Sequence, residues 1–228
     1  MTLIIAHRGD HRHAEENTLE AFASALHTGA DMIELDVRRT QDGIPVIFHD
    51  ATLGHERLDQ LTWAEIQTRQ PTIPTLSATL AYTRGRIRLD IELKEAGYEA
   101  EILALIRTQG DPSSVVITSF LPQVVYRVKT LAPDLTVGLL VDERPLVSDP
   151  DPQRQLEMCR QLGADLWAPH HSWLTSDVLR VAAQGGIPLY VWTVNDPMQI
   201  RVCLQNPIMT GLITDVPQMA LAERGAVP

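Results

Sequence analysis

Four short stretches carry side chains whose types and spacing suit polar chemistry. His7-Arg8-Gly9 stand together; Glu34 and Asp36 lie two apart; His49-Asp50 follow a short apolar run; and Arg88-Leu89-Asp90-Ile91-Glu92-Leu93-Lys94 alternates charged and apolar residues without a break. On an extended strand a spacing of two puts Glu34 with Asp36, and Asp90 with Glu92 and Lys94, on one face. Carboxylates crowded on a shared face require a counter-charge, because burying an unpaired one costs several kcal/mol. Glu34, Asp36 and Glu92 offer hard oxygen donors and no sulfur, a set that favours Mg2+ or Ca2+, with Mn2+ also compatible, over zinc. His7 and His49 flank these acids, and imidazoles suit a general acid and a general base near neutral pH. The competing reading pairs the acids with Arg8, Arg38, Arg88 and Lys94 in a salt-bridge network.

The elements that must position these residues follow a simple alternation. β-Branched runs at 3–6, 32–37, 45–48, 88–93, 115–119, 137–141, 166–168, 189–194 and 211–214 read as strands, most followed by a turn and a helical pattern. Leu19, Phe22, Ala23 and Leu26 keep helical spacing behind a cap at Asn17 or Thr18. Similar patterns recur at 98–109, 121–131, 152–162, 176–184, 197–204 and 217–223, and shorter ones at 62–68 and 76–83. Too few residues separate 37 from 45 for a parallel crossover, so the third run is the return arm of a hairpin. Taking Asp42-Gly43 as its two turn residues sets Asp36 opposite His49. Without that arm eight strands remain, the count of a single (β/α)8 TIM barrel occupying 1–228 as one domain. In such a barrel functional residues gather at the C-terminal strand ends, where all four stretches fall. The apolar face of 88–94 then packs outward on the helices and its charges point inward.

Composition narrows the function. The chain has 228 residues, 44% hydrophobic and 21% charged, which excludes disorder as its main state. Asp and Glu number 29 against 19 Lys and Arg, a net charge of −10. That surface is a poor match for nucleic acid or an anionic membrane, and any anionic substrate must meet local positive charge. Cys159 and Cys203 form neither a disulfide framework nor a metal spacing. The N-terminal residues lack a signal-peptide pattern, and no apolar run approaches the roughly 20 residues of a membrane span. A cytoplasmic protein is expected, and the oligomeric state stays open.

His7-Arg8-Gly9, Glu16-Asn17-Thr18, Glu34-Leu35-Asp36-Val37, Asp42-Gly43 with His49-Asp50, Pro74-Thr75-Leu76, Glu92-Leu93-Lys94, Trp192-Thr193-Val194-Asn195 and Thr214-Asp215-Val216-Pro217 together resemble the ordered motif set of the glycerophosphodiester phosphodiesterase family. The resemblance implies a hydrolase that cleaves a small-molecule glycerophosphodiester to glycerol 3-phosphate and an alcohol. It further implies that His7 and His49 are the acid/base pair, that Glu34, Asp36 and Glu92 bind the divalent metal, that Arg8 and Lys94 hold the phosphate, and that Trp192 walls the alcohol portion.

Two departures from the family pattern stand out. Glu15 occupies a place where proline is usual, which predicts a looser loop between Gly9 and Glu16, and the segment 51–73 is a reduced version of a larger insertion. An open site of that kind suits two other enzyme readings, a phosphodiesterase acting on lysophospholipids and one forming a cyclic phosphate. A non-catalytic phosphodiester-binding protein is the remaining alternative. Asp215 is read either as orienting a neighbour or as a helix cap, His11 and His13 as solvated loop residues with one of them in reach of the site mouth, and His170-His171 as lining the substrate entrance.

Overall fold

The computed structural model describes residues 1–142 and 151–226. Its strands are β1 (Leu3–His7), β2 (Met32–Arg39), β3 (Pro45–Ile47), β4 (Thr52–Leu53), β5 (Glu56–Arg57), β6 (Arg88–Leu93), β7 (Val115–Ser119), β8 (Thr136–Val141), β9 (Leu166–Pro169), β10 (Leu189–Val191) and β11 (Met209–Thr214). Its helices are α1 (Leu19–Thr28), α2 (Trp63–Arg69), α3 (Leu76–Thr83), α4 (Glu99–Gln109), α5 (Pro122–Leu131), α6 (Pro152–Leu162), α7 (Ser176–Gly185), α8 (Pro197–Gln205) and α9 (Pro217–Ala226). Local chemistry sets many of the boundaries. Thr18, Thr75 and Thr175 cap α1, α3 and α7 through their hydroxyls, and proline opens α5, α6 and α8 where a missing N–H costs nothing.

The main sheet runs β1-β11-β10-β9-β8-β7-β6-β2-β3, and β1 also pairs with β2. Setting aside the β3 arm, that pairing closes eight parallel strands into the expected barrel. β2 is the strand that forks: its first half pairs with β1, its end with antiparallel β3, and Met32 to Val37 with β6 along the other edge. Two apolar layers hold the barrel together. Ile33, Leu35, Leu89, Ile91, Leu93 and Ile117 face the helices, while Ile5, Met32, Val116, Leu166, Tyr190 and Ile213 fill the interior. The charged residues sit above that interior plug. No helix among the described residues is long and apolar enough to cross a membrane.

The hairpin differs from expectation by one residue. Val37 pairs with Ile47 and the Phe48 N–H donates to the Asp36 carbonyl at 3.0 Å, so Phe48 rather than His49 lies across from Asp36. The cause is a three-residue loop: Thr40 N–H donates to Ile44 O at 3.0 Å, and Gly43 takes the left-handed conformation at φ +84°. Asp42 is anchored instead by the Thr40 hydroxyl at 2.6 Å and the Trp63 N–H at 3.0 Å. β10 also ends earlier than expected; Trp192 keeps only an isolated bridge to His170.

Candidate active site

Strand register brings the acids together. His7 pairs with Glu34 across β1 and β2, while Glu34 pairs with Asp90 and Asp36 with Glu92 across β2 and β6. One oxygen from each of Glu34, Asp36 and Glu92 lies within 4.8 Å of the others, and all three residues are buried. Directly after β1 the chain turns through two consecutive left-handed residues, Arg8 at φ +53° and Gly9 at φ +84°. That turn sends the Arg8 backbone N–H to Glu34 Oε2 at 3.1 Å, its Nε to 3.1 Å from Asp36 Oδ2, and its Nη1 to Glu16 Oε1 at 2.8 Å. Lys94, at the end of β6, places Nζ 2.8 Å from Asp36 Oδ1 and 2.6 Å from Glu92 Oε1. Asn17 Nδ2 donates to Asp36 Oδ2 at 2.7 Å.

The compensation is therefore uneven. Burial opposes ionisation of Asp36, yet the Lys94 and Arg8 charges outweigh it and hold the carboxyl at about 2. Burial pushes Glu92 up to about 7 in spite of Lys94, and burial together with the Asp36 and Glu92 charges holds Glu34 well above the usual carboxylate range. The salt-bridge reading accounts for Arg8 and Lys94 but not for the rest. Arg38 turns to Glu95 and the His49 carbonyl, and Arg88 begins β6 at the opposite end from Lys94. Three converging oxygen donors that remain short of positive charge fit a divalent cation by their chemistry.

Above the acids opens a cavity of about 370 Å³ lined by His7, Arg8, Glu34, His49, Glu92, Lys94, Phe120 and Trp192 among others. His49 has Nδ1 2.8 Å from the exposed Asp50 carboxylate. Its imidazole is pushed down by burial, with the Lys94 and Arg8 charges adding to the effect against that of Asp36. His7 has Nδ1 2.6 Å from Asp215 Oδ1 and Nε2 3.9 Å from Glu34 Oε2. Trp192 is fixed by Nε1 donating to the Ala168 carbonyl at 2.9 Å and packs edge-on against Phe120 and His170. All eight residues singled out as site residues thus converge: seven line the cavity, and Asp36 lies beneath it, bridged to Arg8 and Lys94.

The glycerophosphoryl diester phosphodiesterase family model matches residues 7–219. The chain belongs to this family. It is 29% identical to the glycerophosphodiester phosphodiesterase of Caldanaerobacter subterraneus subsp. tengcongensis over 95% of each chain. The crystal structure of the Agrobacterium tumefaciens glycerophosphodiester phosphodiesterase superposes with a TM-score of 0.82 at 26% identity, covering 97% of this chain and 100% of that one. An Oleispira antarctica phosphodiesterase, solved with its product sn-glycerol-3-phosphate, gives a TM-score of 0.84 at 25% identity, covering 98% and 96%. The expected enzyme class, a phosphodiester hydrolase, stands with the family.

Within this phosphodiesterase barrel several residues do more than the sequence reading assigned. Of the two readings of Asp215, the geometry gives the one that faces a neighbour: its carboxylate receives His7, His11 and Asn195. Burial works against its ionisation, but hydrogen bonds from His11 and His7 hold its carboxyl far below the usual range. His11 accordingly reaches the site, and the Asp215 bond raises its imidazole. Glu15 does not leave the first loop untethered: its carboxylate accepts from Gln70 and from the Thr72 hydroxyl, tying that loop to the segment after α2. Which neighbour Asp215 faces follows from register: the alternation Gly211, Ile213, Asp215 lies beside Leu3, Ile5, His7 where β11 pairs with β1.

Proposed function

We propose that the protein is a divalent-metal-dependent hydrolase that cleaves glycerophosphodiesters to glycerol 3-phosphate and an alcohol. The carrying observation is the convergence of His7, His49, Glu34, Glu92, Arg8 and Lys94 on one cavity at the C-terminal mouth of the barrel. Glu34, Asp36 and Glu92 would hold the cation, Mg2+, Ca2+ or Mn2+, whose charge lowers the cost of negative charge building on the phosphoryl oxygens. Arg8 and Lys94 supply fixed positive charge beside the same oxygens. Of the two imidazoles, one takes a proton from the attacking oxygen nucleophile and the other gives a proton to the leaving alkoxide as the P–O bond breaks. Phe120 and Trp192 give the alcohol an apolar wall. A cytoplasmic location and a single catalytic domain complete the reading.

The test is product release from a panel of glycerophosphodiesters and lysophospholipids with each metal supplied, followed by phosphorus NMR. Glycerol 3-phosphate, lost on chelation, is the expected product. A cyclic phosphate as final product would replace hydrolysis with transfer, and no product from any substrate would overturn the reading. His49→Ala should lower kcat by about 10²–10⁴-fold while the fold is kept.

A further inference from the structure

His7 and Asp215 face each other because β1 and β11 run parallel in a register that pairs Ala6 with Thr214, so the next inward-facing residue of each strand lies beside the other. The carboxylate is acceptor-only, and its Oδ1 lies 2.6 Å from His7 Nδ1 and 3.1 Å from His11 Nε2. Asn195 closes the other side: its Nδ2 donates to Oδ2 at 2.5 Å while its Oδ1 accepts the Asp215 backbone N–H at 2.9 Å. The same Asn195 oxygen accepts from the Thr214 hydroxyl at 3.1 Å. The Val216 N–H, just before α9, goes to the Thr214 hydroxyl at 3.1 Å rather than to Asp215. His49, by contrast, has only the exposed Asp50 beside its Nδ1.

From this geometry we infer that Asp215 is a positioning residue for His7: braced by Asn195 and His11, it fixes the proton on His7 Nδ1 and turns Nε2 toward the cavity. This rests on the acid/base role proposed for His7. Proton transfer at Nε2 then meets a ring whose tautomer and angle are set before the substrate arrives, and an imidazolium formed during the reaction is stabilised by the carboxylate behind it. Asp215 itself stays ionised and does not touch the reacting atoms. His11 shares the same oxygen, so it restrains the carboxylate rather than the ring.

The experiment compares wild type, His7→Ala, Asp215→Asn and the double variant on glycerophosphocholine, or on whichever diester the wild type cleaves fastest. Asp215→Asn should lower kcat by about 10²-fold or more with KM within about threefold, and should add nothing to the loss already caused by His7→Ala. His11→Ala should cost less, about three- to tenfold in kcat. If His7→Ala keeps most of the activity, the acid/base reading fails and the positioning role goes with it. If His7→Ala is inactive while Asp215→Asn stays within threefold of wild type, the positioning role alone is overturned. Nitrogen-15 NMR of the wild-type imidazoles gives a second reading that does not depend on any variant folding: in its neutral form His7 should carry its proton on Nδ1, and a bare Nδ1 would overturn the inference.

Discussion

Asp90 and Glu92 stand two residues apart on β6 with both side chains inside the barrel, yet their surroundings differ. Glu92 has Lys94 at its carboxylate, whereas Asp90 has one oxygen taking the Thr118 hydroxyl at 2.8 Å and the other buried without a hydrogen-bond partner. Burial pushes Asp90 up to about 7, well above its value in an unfolded chain, with the Glu92 and Asp36 charges acting in the same direction. Between the unfolded and folded values the native state holds a proton that the unfolded state has released. This group therefore lowers stability as pH rises through that window. Asp90→Asn keeps the carbonyl for Thr118 and cannot ionise. In metal-free protein its unfolding free energy should gain on wild type by about 1–3 kcal/mol between about pH 4.5 and pH 8, measured by urea titration. A difference that is flat across that range would mean that Asp90 ionises as readily in the barrel as in water.

At the scale of elements, the turn from β1 to α1 decides where His7 and Arg8 point. Gly9 sits at φ +84°, and a Cβ there would lie 2.8 Å from the backbone carbon and the Cβ of Ala21. Both the dihedral and the contact exclude a side chain, and relieving them must push the turn away from α1. Gly9→Ala should destabilise the fold by about 2–4 kcal/mol in denaturant unfolding and lower kcat as Arg8 leaves Asp36. A loss under about 0.5 kcal/mol would mean that the turn relaxes freely. This motif was legible as His7-Arg8-Gly9, and so was β6, whose span 88–93 follows from alternation alone. The hairpin register was not legible, because Asp42-Gly43 fits a two-residue turn as well as the end of a three-residue loop, and only the anchoring of Asp42 by Thr40 and Trp63 decides between them. Asp215 was legible as a residue that orients a neighbour or caps a helix, but its partners His7, His11 and Asn195 were not, since they come from distant segments of the chain. Sequence pattern reports local period and turn chemistry; which strand closes on which is a long-range fact.

At the scale of the whole molecule, the −10 net charge and the anionic substrate proposed for it are reconciled at the barrel mouth. Glu34, Asp36 and Glu92 are buried there beside Arg8 and Lys94, and Asp90 lies next to them with only the Thr118 hydroxyl, so full ionisation of the four acids against two cations would leave two charges uncompensated. The divalent cation proposed for this site would supply that balance and would bind only the folded chain, because the oxygens meet only through strand register. Folding and metal binding are then linked, and at 100 times Kd the folded state gains about 2.7 kcal/mol. For a protein of this length that is a rise in Tm of about 5–10 °C. Mg2+, Mn2+ or Ca2+ at millimolar concentration should produce this shift in the chelator-treated protein, whereas KCl of equal ionic strength should not. Glu34→Gln should melt at or above the wild-type temperature without metal, because a repelling carboxylate is gone, and should lose most of the metal-induced rise. If the divalent salts shift Tm no further than KCl does, Arg8 and Lys94 satisfy the cluster by themselves and the acids form a salt-bridge network rather than a cation site.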